Sequence, residues 1–196
     1  VLVQLEKENL SIGQRILAQE LQLTVRGQEK IGIIGPNGVG KSTLLAKLHQ
    51  LLSGKREISL GFMPQDYQET LQLDLSPVEF LSQTGHKEEI QKIQSHLASL
   101  NFSYPEMHHQ IHSLSGGQQG KLLLLNLVLR KPNFLLLDEP TRNFSPTSQP
   151  EIRKLFANYP GGLITVSHDR RFLKEVCTSI YRLTEHGLEV VDLQDL

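Results

Sequence analysis

The sequence predicts an α/β fold with a mostly parallel central sheet, and three observations carry that prediction. Short apolar runs at 31–34, 134–137 and 163–166 have the length and composition of strands buried on both faces. Segments with apolar residues at helical spacing alternate with them. Each run ends in glycine-rich or charged residues, and ligand sites in open parallel sheets lie at that edge.

At 196 residues the chain fits one domain spanning 1–196, with room for a small subdomain. With 20 Lys+Arg against 21 Asp+Glu, the net charge is -1. That balance argues against a broad basic face that grips nucleic acid by itself. Cys177 is the single cysteine, so no internal disulfide forms, which suits a reducing cytosol. The leucine-rich stretch 122–129 is interrupted by Asn126 and far too short to cross a bilayer. No secretory signal opens the chain, and its start at Val1 rather than Met reads as a fragment of something longer.

Residues 21–25 alternate apolar and polar, as a half-buried strand does, and Arg26-Gly27-Gln28 reads as a turn. After the 31–34 strand, Leu44, Leu45, Leu48 and Leu52 mark a helix over 42–52, and a further strand is predicted over 58–63. Ser76-Pro77-Val78-Glu79 is a helix start: the serine caps, proline fits the first position and glutamate completes a capping box. Ile90, Ile93, Leu97 and Leu100 give a second helix its apolar face. Ser115 and Gln118 repeat the capping spacing and open a helix to about Arg130, stopped by Pro132-Asn133. The region 75–112, or 75–130 with that last helix, reads as a small helical subdomain. His108, His109 and His112 lack the carboxylate or cysteine partners of a metal set and read as a solvated cluster.

Gly35-Pro36-Asn37-Gly38-Val39-Gly40-Lys41-Ser42 matches the phosphate-loop pattern G-x-x-x-x-G-K-[ST]. Such a loop needs consecutive N–H groups turned inward on phosphate oxygens, which glycine permits, and the following helix adds the positive end of its dipole. Lys41 is expected to reach the β- and γ-phosphates and the Ser42 hydroxyl to ligate Mg²⁺, with Thr43 completing the nucleotide-binding run. At the end of the 134–137 strand, Asp138 is the natural partner for Mg²⁺. Glu139 faces the other side of the strand, where a base for an attacking water would stand. His168 closes the 163–166 strand at the same edge, placed to touch the γ-phosphate.

Leu114-Ser115-Gly116-Gly117-Gln118 resembles the LSGGQ signature of ATP-binding cassette (ABC) proteins. With the phosphate loop, the carboxylate pair, Gln65 resembling the glutamine loop and His168 resembling the switch histidine, the resemblance covers nearly the whole chain. It implies a P-loop NTPase of the ABC type, with a small antiparallel β part and a helical subdomain beside the parallel sheet. It further implies ATP and Mg²⁺ as ligands, with Ser42, Gln65 and Asp138 around the metal. Glu139 and His168 are then catalytic, and Ser115, Gly116, Gly117 and Gln118 are offered to the ATP of a second ABC domain in a head-to-tail pair. Isolated, the domain is expected to be a weak ATPase.

Within the family the chain looks most like the second cassette of a bacterial ABC-F protein. The interval from phosphate loop to signature is short. Ser167-His168-Asp169-Arg170-Arg171-Phe172-Leu173 and Glu139-Pro140-Thr141-Arg142-Asn143-Phe144-Ser145-Pro146 resemble stretches of those cassettes. The resemblance implies a cytoplasmic two-cassette protein that acts on the ribosome, in translation or antibiotic protection. The alternative is the ATPase subunit of a membrane transporter, whose cassettes usually carry a larger helical region. The chain departs from the family pattern at Ser145, where an aspartate is usual, at Gly120-Lys121, and at Ile12, where an adenine-stacking aromatic is common.

Overall fold

The structure is a computed structural model describing residues 1–67 and 70–196. In chain order its elements are β1 (Val3–Ile12), β2 (Arg15–Val25), β3 (Lys30–Ile34), α1 (Lys41–Ser53), β4 (Leu60–Met63), α2 (Pro77–Leu81), α3 (Lys87–Ser99), α4 (Tyr104–His108), α5 (Gly116–Arg130), β5 (Phe134–Asp138), α6 (Gln149–Ala157), β6 (Gly162–Val166), α7 (Arg170–Val176), β7 (Ser179–Thr184) and β8 (Gly187–Val191). They divide into two compact units, one of residues 1–65, 132–142 and 146–196, the other of 66–131 and 143–145.

The first unit holds both sheets. Six strands run in the order β4-β5-β6-β3-β7-β8, every neighbouring pair parallel except β7 with β8. The strands read as apolar runs are its centre: β5 and β6 are buried at all positions, as both-face burial demands. Leu44, Leu45, Leu48 and Leu52 of α1 pack with Ile31, Ile33, Phe134, Leu136, Ile164 and Val166 in one core. On the opposite face Gly32 leaves room for Leu173 of α7 and the Cys177 thiol, and Phe156 of α6 meets Phe172 of α7 edge-on at 5.8 Å. Cys177 is buried, and desolvation pushes its thiol up to about 12, so it behaves as a small apolar residue.

The antiparallel part is a ribbon of β1 and β2, and residues 21–25 are only the inner end of the longer β2. The sequence did not mark β1 because its register shifts between Leu5 and Glu8 and again after Glu8, so apolar residues do not alternate cleanly. Neither did it mark β7, β8, α6 or α7. β8 lies at the sheet edge, and its apolar side chains Leu188, Val190 and Val191 are half-buried or exposed. Ile58 and Ser59 fall outside β4: Ile58 closes a turn on Lys55, and the Ser59 N–H donates to Asn133 Oδ1.

The second unit is helical. Capping boxes open α2 at Ser76/Glu79, α4 at Ser103/Glu106 and α5 at Ser115/Gln118. Ile93 and Leu97 bury the apolar face of α3, with Ile90 and Leu100 half-buried. The Glu89 carboxylate accepts N–H bonds from Gln83, Thr84 and Gly85 and hydroxyl bonds from Ser82 and Thr84, tying the turn that leads into α3. The helix α4 stops at His108 and His112 lies in a separate 3-10 turn, so the two imidazoles share no helix face. Lys131 takes φ 48 to end α5 ahead of Pro132.

Candidate functional site

The phosphate loop links β3 to α1, and its shape rests on two tight glycines. Gly40 caps α1 at φ 108, a conformation that side chains rarely adopt. Leu17 of β2 and Leu10 of β1 leave no room there either: a Cβ would stand 2.9 Å from Leu17 Cδ1 and 3.1 Å from Leu10 Cδ2. At Gly35, φ is 152 and a Cβ would stand 2.8 Å from the Leu183 carbonyl oxygen. The ribbon of β1 and β2 and the loop therefore shape each other.

Lys41, the first residue of α1, is buried, and its ammonium donates to the Gly35 and Pro36 carbonyls at 2.8 Å each. Burial lowers its pKa, opposed by the nearby Glu139 and Asp138 carboxylates. Asp138 ends β5, also buried, hydrogen-bonded to the Ser42 side chain. Desolvation raises its pKa against the pull of Ser42, Lys41 and Arg142. Glu139 follows with φ 51, a left-handed backbone for a non-glycine residue. Its carboxylate accepts from the His168 N–H at 3.3 Å and lies 3.6 Å from His168 Nε2. The Glu139 side chain is 13 % exposed and the His168 ring 54 %. Desolvation raises the Glu139 pKa, the His168 contacts pull it down, and Asp138 pushes it up.

These groups open on one cleft of about 740 Å³ in the first unit. Of the residues singled out in the sequence, Ile12, Asn37, Gly38, Gly40, Lys41, Ser42, Thr43, Gln65, Asp138, Glu139 and His168 line it, while Gly35, Pro36 and Val39 form the loop behind. Arg15, Leu17 and Arg142 also line it and were missed. The signal for Arg15 was available only with the β1–β2 turn in hand, because pairing across that turn sets Arg15 beside Ile12. Ser42, Asp138 and Gln65 together offer a hydroxyl, a carboxylate and an amide on one wall. These are oxygen donors of the kind a hard cation such as Mg²⁺ takes, so the residues fit that ion.

In the second unit the signature opens α5. Ser115 Oγ accepts from the Gln118 N–H, Gln118 Oε1 accepts from the Ser115 N–H at 3.0 Å, and Gln118 Nε2 donates to Glu106. Tyr67 Oη donates to the Gly116 carbonyl at 2.7 Å. Gly120 is forced by packing, since a Cβ would stand 2.8 Å from Tyr67 Oη and 3.0 Å from Phe144.

The family model described as "ABC transporter" matches residues 18–142, well over half of the chain. The chain belongs to the ABC family of ATPase domains. It binds and hydrolyses ATP as those domains do. It is 31% identical to the probable ATP-binding protein YheS of Escherichia coli K12 over 97% of its own length and 31% of that protein's. To the probable ATP-binding protein YbiT of Escherichia coli O157:H7 it is 34% identical, over 92% of its length and 36% of YbiT. To ABC transporter F family member 2 of Arabidopsis thaliana it is 29% identical, over 92% and 28%. The chain thus spans about a third of the length of these relatives. The dimeric structure of the ATP-binding cassette MJ0796 with ADP and Pi shares the fold, with a TM-score of 0.77 at 19% identity over 97% of this chain and 98% of that one. No helix among the described residues is long and apolar enough to cross a membrane.

Proposed function

We propose that this cassette is one half of a nucleotide-gated clamp in a two-cassette, cytoplasmic ABC-F protein that acts on the ribosome. The observation that carries the reading is the cleft itself: a phosphate loop, a carboxylate pair of buried Asp138 and partly buried Glu139, and a histidine at one sheet edge. The α5 N-terminus with Ser115, Gly116 and Gly117 is an anion-binding device, and a second cassette's γ-phosphate is its natural ligand. The dimeric MJ0796 neighbour supports a paired arrangement, and the F-family relative supports the ABC-F assignment.

In this reading the loop N–H groups and Lys41 hold the triphosphate in line for attack. Ser42, Asp138 and Gln65 would hold Mg²⁺, which supplies charge neutralisation on the phosphate oxygens. Glu139 takes a proton from the attacking water, and its raised pKa makes it the stronger base. The water oxygen bonds to the γ-phosphorus as the bond to the β–γ bridging oxygen breaks, leaving ADP and inorganic phosphate. His168, beside Glu139, steadies the water and touches the γ-phosphate. ATP bridging two cassettes favours the closed pair, and hydrolysis releases it.

The test has two readouts. Turnover per chain should rise with protein concentration, because each site needs a partner's signature, and brisk turnover from monomeric chain overturns the composite site. The two-cassette parent carrying Glu139→Gln should pellet with ribosomes in ATP but not in ADP. Equal pelleting in both, or co-purification with a membrane permease, transfers the assignment to the transporter subunit.

A further inference from the structure

We infer that Arg15 is the nucleobase platform of the cleft, its guanidinium stacking on the purine face where Ile12 offers only aliphatic surface. The inference rests on the nucleotide-site reading above and extends it to base selectivity.

The geometry comes from the β1–β2 ribbon. Ile12 and Arg15 are direct register partners across the Gly13–Gln14 turn, and directly opposed residues of an antiparallel pair project from the same face. A bulge shifts the register between Leu10 and Ser11, so Leu10 pairs with Ala18 and Leu17 is the extra residue; Leu17 nevertheless lines the same cleft as Ile12 and Arg15. Leu10 and Leu17 are the residues that close on Gly40 of the phosphate loop. Ile12 and Arg15 therefore stand one step further out, roughly 7 Å along the strands, from the place where phosphates are held. A nucleotide anchored by its phosphates on that loop carries its base to this step.

The chemistry there is unusual. Ile12 is 59 % exposed and lines the cleft without a π-face or a hydrogen-bonding group. Arg15 lines the same cleft, exposed, and among the described residues its guanidinium has no ion pair or side-chain hydrogen bond. A planar cation stacks on any purine, because every base presents a π-face, and it reads no edge. Arg15 therefore supplies affinity for the base with little choice between adenine and guanine.

Calorimetric titration of the chain with Mg-ATP, Mg-GTP and Mg-tripolyphosphate, for wild type and Arg15→Ala, separates the possibilities. Wild type should bind ATP and GTP within about tenfold of each other. Arg15→Ala should weaken both nucleotides by about three- to tenfold, the range of a stacked cation. Tripolyphosphate, which has no base, should change by less than about twofold, since ambient salt screens a distant charge. Because Arg15 is exposed, the variant should keep the wild-type circular dichroism spectrum. Unchanged nucleotide affinity, or an equal loss for tripolyphosphate, overturns the platform while leaving the phosphate site standing. Wild type that binds neither ATP nor tripolyphosphate overturns the nucleotide-site reading, and the platform with it.

Discussion

Replacing Gly40 with alanine tests whether the ribbon and the phosphate loop shape each other. The added Cβ meets two obstacles. At φ 108 a non-glycine residue is strained by about 1–3 kcal/mol. The methyl would also sit 2.9 Å from Leu17 Cδ1 and 3.1 Å from Leu10 Cδ2, inside ordinary contact distance. Overpacking of this kind costs about 1–3 kcal/mol when neighbours shift to relieve it. Together the variant should lose about 2–6 kcal/mol, a large share of the ~5–15 kcal/mol by which a domain is stable. At about 2–4 °C per kcal/mol for a chain of this size, the melting temperature should fall by roughly 4–24 °C. Function should fall further, because relief of the strain moves the loop N–H groups off the phosphate oxygens. The assay is thermal unfolding by circular dichroism with and without Mg-ATP. Wild type should gain stability with nucleotide by mass action, and the variant should gain little. A variant that melts within a degree of wild type and keeps its ATP-dependent shift would refute the argument.

Glu139→Gln should slow hydrolysis by about 10² or more, since the amide cannot accept the proton, while ATP binding persists. The same variant should melt higher than wild type without nucleotide: the Glu139 pKa is raised by burial, so the folded state disfavours its charge at neutral pH and that penalty disappears with the amide. A lower melting temperature would contradict the desolvation account. The Glu89 pKa is depressed to about 2, from an ordinary value near 4.5, by the N–H bonds of Gln83 and Thr84 and the hydroxyl bonds of Thr84 and Ser82. Its contribution is present above the unfolded value and lost as pH falls through the folded one, so the amides of Gln83, Thr84 and Gly85 should lose hydrogen-exchange protection between about pH 4.5 and 2, and Glu89→Gln should abolish that dependence.

Much of this was legible because the fold's centre obeys simple periodicity. Buried strands such as Phe134–Asp138 and Gly162–Val166 are apolar throughout, and Ser76/Glu79 and Ser115/Gln118 announce their helices by capping chemistry. What was not legible depends on pairing rather than on local pattern. The β1 strand carries Lys7 at φ 53 and register shifts, so its alternation breaks where the ribbon bends. Arg15 and Leu17 reach the cleft only because the two-residue turn at Gly13 brings β2 back beside β1. The motifs could be read one by one, whereas the wall beside the phosphate loop is made by a hairpin whose alternation is broken by bulges.

The carboxylate pair shows why the site is built on the end of the most buried strand. An apolar strand end raises the pKa of both Asp138 and Glu139 by desolvation, a liability for folding at neutral pH. The same burial makes Glu139 a stronger base than a solvated carboxylate. Asp138 is restrained by Ser42, Lys41 and Arg142, and Glu139 by the His168 N–H and ring, so each carboxylate has its own counterbalance. The positive φ of Glu139 turns its side chain toward His168 instead of continuing the strand, and that backbone is a second local cost at the same residue. Stability spent at two adjacent positions is compensated by the fully buried core of Phe134, Leu136, Ile164 and Val166 directly behind them. A site of this kind therefore needs a dry parallel sheet beneath it, which is why the phosphate loop and the acidic strand end occur in one fold and at one edge.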